Sequence, residues 1–552
     1  MAFPEPLKIE EARLAIDDGK VIDAVHGDWY FQYDGRDETR YVYLEGSGLL
    51  DRLAANEDLV VGEIGFGTGL TFALVQQAMA ETGYTGRLDY IGVEARPLTA
   101  AQAAQANALR DPNLHWLPQS ETPRAGFVSS ERESRGGARL MLLHGDAAQA
   151  LARLSAQVDV WFLDGFSPAK NPDMWTDAIF SQLARLSRPG AQLSSFTAAG
   201  DVRRGLEAAG FSVGKRPGWA KKREHLTAAY AGSWHPRTRP DAPLSVAGTG
   251  VAGLNVALAA EDAGWRAVLH GAGTVPEGSA VPHALVNFRP SGDRGPLGQL
   301  RRAAFFHLAP YAAFAERGVE AVVSDARLRE RWATERDVAH QWLGTDRVLV
   351  NDALSVDTHA FRTATLERIE HRADTLDAMP APGILAAGLG SLELVEGLRL
   401  NPNRGQQDRV KLDERAGFER PLNFGRLLLP AKDQTAWLGA SFDRSPPDDW
   451  RAPRGSDSAE NLARLTAAFP ESRAKLTGES WVGLRATTPD HLPLTGWLGE
   501  NLGVLTGLGS KGYLYAPILA SCLIAEALGR PLPLETWVWQ ALHPHRFNPL
   551  ES

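Results

Sequence analysis

Two α/β units in tandem, each opened by a strand, a glycine-rich turn and a helix, are what this 552-residue sequence predicts. Three observations carry that prediction. The length exceeds the roughly 250 to 300 residues at which a single hydrophobic core stops growing. Strand-like apolar runs alternate with alanine-rich helical runs upstream, and the alternation restarts at Leu244. Between them, residues 232–243 hold three prolines and no apolar periodicity, which predicts a linker and places the domains at 1–235 and 244–552.

The first unit is predicted to carry strands at Leu59–Ile64, Leu88–Val93, Arg139–Leu143 and Val158–Leu163. Helices are expected from about 69, over 97–109, over 147–155 and near 176–187. This βαβα order is the pattern of a parallel sheet covered by helices. The second unit opens with a strand at Leu244–Ala247 and a helix over about 252–263, then becomes less regular. Short strands such as Gly383–Ala387 and Ala436–Phe442 alternate with polar turns, and Asp443–Ser458, rich in proline and aspartate, reads as a loop.

Composition sets the outer bounds. Hydrophobic residues at 44% and charged residues at 23% match folded globular chains and exclude a disordered one. The lone cysteine, Cys522, excludes an intramolecular disulfide framework and, inside the apolar run Ala516–Ala525, reads as a packed thiol. No run approaches ~18 uninterrupted apolar residues, and the first ten residues lack a charged segment followed by an apolar one. A cytoplasmic protein without a membrane partner is therefore expected. A net charge of −9 argues against broad binding to nucleic acid, DNA included, while leaving room for a local basic patch that serves a specific RNA.

The run Val60–Leu70 places Gly65, Gly67 and Gly69 in a Gly-x-Gly-x-Gly turn directly after a strand. There the backbone can pass close to a ligand, and the following helix offers free N–H groups. The next strand ends at Glu94, where a nucleotide site needs an acceptor for ribose hydroxyls, and the third is followed by Asp146, placed to hold an adenine amino group. The turn lacks the full dinucleotide spacing, so S-adenosylmethionine fits it better than NAD. The fourth strand runs into Asp164, Phe166 and a proline- and aromatic-rich segment ending at Trp175. For N-methylation the amine must be neutral, and Asp164 is the residue expected to accept or orient its proton, with Phe166 facing the sulfonium.

In the second unit Gly248, Gly250 and Gly253 form the complete Gly-x-Gly-x-x-Gly fingerprint between a strand and a helix, predicting a dinucleotide whose pyrophosphate sits on the helix N-terminus. The second strand ends in His270, where a ribose-binding acid is expected. Near the C-terminus, Val482–Gly496 and Thr506–Tyr513 carry Arg485 and a further glycine turn with Gly507, Gly509 and Gly512. No metal-ligand cluster is read from the sequence.

Gly65–Leu70, Phe162–Trp175 and Lys221–His225, together with the domain order, resemble the bacterial bifunctional tRNA 5-methylaminomethyl-2-thiouridine biosynthesis family, over nearly the whole chain. The closing segments resemble glycine-oxidase-like flavoenzymes. What the resemblance implies is a Rossmann-like methyltransferase domain followed by an FAD-binding Rossmann α+β domain of the glycine/D-amino-acid-oxidase type. It further implies removal of the carboxymethyl arm from the wobble uridine of tRNA by the flavin half and N-methylation of the resulting aminomethyl group by the first half. Arg485 is then expected to pair with the substrate carboxylate, the 507–512 turn to hold the flavin, and Arg203, Arg204, Lys215, Arg216, Lys221, Lys222 and Arg223 to form a phosphate-contacting patch. One stretch departs from the family pattern: Gly278–Leu285 stands where a Gly-Asn-x-Gln-Gly type segment is usual. Two alternatives follow, a monofunctional methyltransferase whose flavin-type half only holds tRNA, and an enzyme pair acting on a free small amine.

Overall fold

A computed structural model describes residues 3–17, 20–31, 35–108, 123–130, 138–220, 222–271, 278–413, 418–430, 433–446 and 448–547. The chain forms two compact units, Met1–Arg239 with Ala525–Thr536, and Pro240–Ile524 with Trp537–Ser552. The expected division at 1–235 and 244–552 therefore misses one exchange, because residues 525–536 belong with the first unit. Lys221 of the basic run lies outside the described residues.

Unit 1 starts with a small antiparallel sheet outside the expected elements, β1 (Leu14–Asp17), β2 (Lys20–Asp23) and β3 (Asp28–Phe31). Its main sheet contains β4 (Leu59–Ile64), β5 (Leu88–Glu94), β6 (Gly126–Ser130), β7 (Ala138–His144) and β8 (Val158–Leu163). It is completed by β9 (Ser187–Ser195), β10 (Phe211–Pro217) and β11 (Glu224–Tyr230). The order is β10-β11-β9-β8-β4-β5-β7-β6, parallel from β9 to β7 and antiparallel at both edges. Strands β4 and β8 are buried along their whole length, so they read as continuous apolar runs. Successive residues of β8 serve opposite faces: Trp161 packs in the core on one side and Phe162 in the core on the other.

Three acids sit inside this apolar sheet: Glu63 accepts from the Tyr90 hydroxyl at 2.8 Å, and the other two are paired with arginines. Asp159 accepts from the Val60 amide at 2.7 Å and pairs with Arg188 at 2.9 Å and Arg237 at 2.8 Å. Asp89 pairs with Arg139 at 3.0 Å and with Arg530 at 2.6 Å. A buried charge left single costs about 3 to 5 kcal/mol, and that asymmetry ties residues 525–536 into unit 1. The Leu532 amide also donates to Ser155 O at 3.0 Å, and Arg237 donates to Leu528 O at 3.0 Å.

Unit 2 contains two sheets. Its strands are β12 (Leu244–Ala247), β13 (Ala267–His270), β14 (His283–Val286), β15 (Ala315–Val322) and β16 (His340–Leu343). Next come β17 (Arg347–Asp357), β18 (Glu370–Arg372), β19 (Gly383–Leu385), β20 (Asn401–Leu412) and β21 (Leu422–Asn423). The last are β22 (Leu427–Pro430), β23 (Thr435–Gly439), β24 (Ala474–Thr487), β25 (Leu494–Trp497) and β26 (Leu502–Thr506). The nucleotide-type sheet has the order β18-β13-β12-β19-β26-β25, parallel except for β25. The other runs β14-β17-β15-β21-β22-β23-β20-β24, with β16 paired to β17. This second sheet explains the irregular pattern after residue 270: several of its strands pair across long sequence separations, as β14 with β17 and β20 with β24.

Part of the loop expected over Asp443–Ser458 is helical, since a helix starts at Gly455 and continues to Ala468. Its first turn supplies Asp457 and Ser458 to a buried network with Arg404, Gln406 and Asp408, so polar residues mark a core contact there. Cys522 is buried in the helix Gly512–Ala527. Among the described residues no helix is long and apolar enough to cross a membrane.

Candidate active sites

In unit 1 the chain reverses its direction of travel across the sheet between β4 and β8, so a crevice opens beyond their carboxyl ends. Gly65 follows β4 at φ +90°, and a Cβ there would lie 1.9 Å from the Asp164 carbonyl oxygen. Only glycine permits that approach, which brings the turn against the segment after β8. The Gly65 and Phe66 amides both donate to Val93 O, at 2.9 and 3.1 Å, and fix the turn to β5 as well.

A cavity of about 620 Å³ fills this crevice, lined by Gly65, Gly67, Glu94, Asp146, Asp164 and Phe166. Gly69 stands behind it as the left-handed residue preceding the helix Leu70–Thr82. Glu94 accepts from the Gly67 amide at 2.9 Å and from the Arg96 amide at 2.8 Å, so it fastens the glycine turn besides facing the cavity. Asp146 is exposed and caps the helix Ala147–Arg153 by accepting from the Gln149 amide at 2.9 Å, which commits one of its oxygens away from any ligand. Burial pushes the Asp164 carboxyl up to about 6, and the Tyr43 hydroxyl and the Gly165 amide pull it back down. At neutral pH such a group is mostly ionised yet close enough to neutrality to exchange a proton.

Tyr30 and His26 were not legible as site residues. They stand on the β2–β3 hairpin and pack their rings on Phe166, with centroids 5.3 and 5.0 Å away. Asp28 of the same hairpin accepts from the Ser167 amide at 2.9 Å, pairs with Lys170 at 3.1 Å, and so holds the loop after Asp164. The β-branched pair Val21-Ile22 and the aromatic run Trp29-Tyr30-Phe31, on either side of the turn-forming His26-Gly27-Asp28, are the signal that could have revealed it. The basic run is less free than its sequence suggests: Arg203 pairs with Glu207, Arg204 with Asp201, Lys215 with Glu224 and Lys222 with Glu38.

Unit 2 repeats the construction. Direction reverses between β12 and β19, Gly248 follows β12 at φ +116°, and a Cβ there would lie 2.5 Å from Ala386 O, just beyond β19. Gly253 lies on the helix Val251–Asp262 with its missing Cβ 1.9 Å from Gly248 O, so it serves helix–turn packing and does not face the ligand space. Gly248, Gly250, Gly507, Gly509, Gly512 and Arg485 line a cavity of about 1110 Å³, whose lining runs from the helix N-terminus to the second sheet. The departing segment Gly278–Leu285 takes part in it: the Ser279 hydroxyl accepts from the Val251 amide at 3.0 Å and its carbonyl accepts from the Tyr513 hydroxyl at 2.8 Å.

The acid missing at the end of β13 is supplied from next door. His270 Nδ1 lies 3.0 Å from an Asp374 carboxylate oxygen, two residues past the parallel neighbour β18, and both residues line the cavity. The glycine turn, the open helix N-terminus and this carboxylate fit an adenine dinucleotide. Arg485 projects from β24, its guanidinium carbon 4.8 Å from the centre of the Phe442 ring and its Nη1 buried without a hydrogen-bond partner. Burial and the neighbouring Arg426 lower its pKa to about 10, and burial lowers that of Lys511 to about 8. Both cations are held at a cost that an anion would relieve.

Comparison with known proteins matches these units one by one. Residues 117–231 fit the model of an S-adenosyl-L-methionine-dependent methyltransferase family, and residues 352–526 that of an FAD dependent oxidoreductase family. The chain is 34% identical to the tRNA 5-methylaminomethyl-2-thiouridine biosynthesis bifunctional protein MnmC of Caulobacter vibrioides, over 96% of this chain and 97% of the relative. It is 33% identical to the protein of that name from Maricaulis maris, over 95% and 93%. Among solved structures, iminodiacetate oxidase from Chelativorans gives a TM-score of 0.44 at 17% identity, covering 52% of this chain and 96% of that one. With more than 30% identity held over nearly the full length of both chains, this protein belongs to the MnmC family, with an S-adenosylmethionine-dependent methyltransferase domain followed by an FAD-dependent oxidoreductase domain.

Proposed function

We propose that the chain performs two successive steps on the wobble uridine of tRNA: removal of the carboxymethyl arm from 5-carboxymethylaminomethyl-2-thiouridine in unit 2, then N-methylation of the 5-aminomethyl product in unit 1. The observation that carries this reading is the opposite charge of the two cavities. Six carboxylates and two Lys/Arg cations line the unit 1 cavity, whereas two carboxylates and four Lys/Arg cations line that of unit 2. The substrate of the first step carries a carboxylate and suits the cationic site; its product is an amine and suits the acidic one, as does a sulfonium.

Bound FAD supplies a two-electron oxidation and bound S-adenosylmethionine an electrophilic methyl group. The residues do the rest. In unit 2 the turn at Gly248 and the N-terminus of the helix Val251–Asp262 would hold the pyrophosphate, Asp374 with His270 the ribose, and the 507–512 turn the flavin, while Arg485 grips the substrate carboxylate. In unit 1 Glu94 would accept from the cofactor's ribose hydroxyls, and Asp164 takes or orients the proton of the attacking amine. The intact glycine turns and the cationic cavity of unit 2 favour this two-step reading over a methyltransferase with an inert second half. Nucleoside analysis of carboxymethylaminomethyl tRNA treated with the enzyme tests it: without S-adenosylmethionine 5-aminomethyl should accumulate, and with it 5-methylaminomethyl. Unchanged substrate in both reactions would exclude the oxidative step.

A further inference from the structure

The unit 2 cavity holds a second arginine that neither the glycine turns nor Arg485 accounts for. Arg426 immediately precedes β22 and lines the same cavity as Arg485. Its Nη2 is held by Glu460 at 2.9 Å, and its Nε is buried without a hydrogen-bond partner. Arg485 Nη1 is in the same condition, and no carboxylate among the described residues pairs with Arg485. Both guanidinium carbons face one ring, that of Phe442, at 5.4 Å for Arg426 and 4.8 Å for Arg485. That ring is 53% exposed, an apolar surface left open where most large side chains of its type are covered.

Two like charges gathered about one ring, each with a sealed and unused N–H, are unfavourable unless an anion completes them. Backbone geometry keeps the pair in place. Gly405 sits beneath Arg485 on β20, where a Cβ would lie 2.1 Å from its Nη2, so a glycine makes room for the guanidinium. The Glu460 pair draws Arg426 by one end only and leaves its Nε for another acceptor.

We propose that Arg426 and Arg485 form a two-guanidinium clamp on the carboxylate of the carboxymethylamine, with Phe442 as the ring that sets them side by side. Arg426 is thus a specificity-determining residue for the oxidative step. The proposal deepens the function given above and rests on it for the identity of the substrate. Two forks on one carboxylate distinguish it from a neutral amide far better than a single cation does, because both oxygens then find fixed donors.

The test is a titration of the flavin-loaded full-length enzyme with N-acetylglycine and, separately, with N-acetylglycinamide, read by perturbation of the flavin's visible absorbance. Wild type should bind the acid at least tenfold more tightly than the amide. Arg426→Gln should lower that preference about tenfold, roughly the effect of one charge-assisted hydrogen bond, with flavin content and thermal midpoint unchanged. Arg426→Lys, which keeps the charge and loses the fork, should fall between them, and its ratio decides the matter if the glutamine variant does not fold. An acid-to-amide ratio unaltered in Arg426→Gln overturns the clamp, as does a wild type without preference. Weakened FAD affinity with the ratio unaltered also overturns it, placing Arg426 on the cofactor's phosphates. A wild type that keeps the ratio but leaves carboxymethylaminomethyl tRNA unchanged retains the clamp and removes only the substrate assignment.

Discussion

The two crevices of this protein share a backbone plan and differ in what is hung on it. In each, a glycine after the first strand lies against the chain leaving the neighbouring strand, with missing Cβ atoms 1.9 Å from Asp164 O and 2.5 Å from Ala386 O. In each, the helix that follows points its N-terminus at the cavity. Yet the crevice of unit 1 ends in a carboxylate pushed toward neutrality, and that of unit 2 in guanidinium groups that each keep a buried N–H unpaired. The backbone thus decides where a nucleotide cofactor can lie, and a handful of side chains decide which end of an amine or carboxylate is handled beside it.

The sharpest way to break the comparison is Asp164→Asn. The amide keeps the shape and loses the base, so methylation should fall by about 10² to 10⁴ fold while S-adenosylmethionine affinity stays, measured by single-turnover methyl transfer and calorimetry. Methylation within a few-fold of wild type removes Asp164 from the mechanism. On the other side, Arg485→Leu should cost about 2 to 5 kcal/mol in turnover of carboxymethylaminomethyl tRNA and leave methylation of aminomethyl tRNA unaltered. Equal losses in both reactions would mean that the two cavities are not chemically separate.

Glu94→Ala sharpens the contrast more gently. The carboxylate fastens the glycine turn through Gly67 and is expected on the ribose, so cofactor affinity should drop by roughly 1.5 to 3 kcal/mol, about ten- to a hundredfold, with tRNA affinity unchanged. The smallest effect is one of pH. Because the Asp164 carboxyl is raised to about 6, the logarithm of the methylation rate should steepen from unit slope, set by the amine, to a slope of two below that pH. The slope should stay at one in Asp164→Asn. The stability contribution has the opposite sign: a folded value above the unfolded one favours the native state at low pH, and that contribution is lost as pH rises through about 6. Activity and this term of stability therefore move against each other.

The parallel strands of unit 1 and both glycine turns were legible because their signals are local: an apolar run, a turn and a helix within a dozen residues. Gly65, Glu94 and Asp164 fall together because each ends a strand of one sheet, which spacing alone encodes. Asp374, Arg426 and Phe442 were not legible, since they reach their cavity through long-range pairings such as β18 on β13 and β21 on β15. Asp146 was legible as a site residue but not as a helix cap, although the aspartate before Ala147 is a residue type that caps. His270 pointed to a missing acid, and the sequence held no local sign that a neighbouring strand would supply one.

Arg530 has a consequence for the order in which the protein comes into being. Its partner Asp89 is made early and waits inside unit 1 with Arg139 alone until residues 525–536 are synthesised. At about 5 to 20 residues per second the roughly 290 residues between Arg239 and Ala525 take on the order of 15 to 60 s to emerge. For that interval the nascent methyltransferase unit lacks one half of a buried ion pair, and residues 525–536 must emerge before that unit is complete.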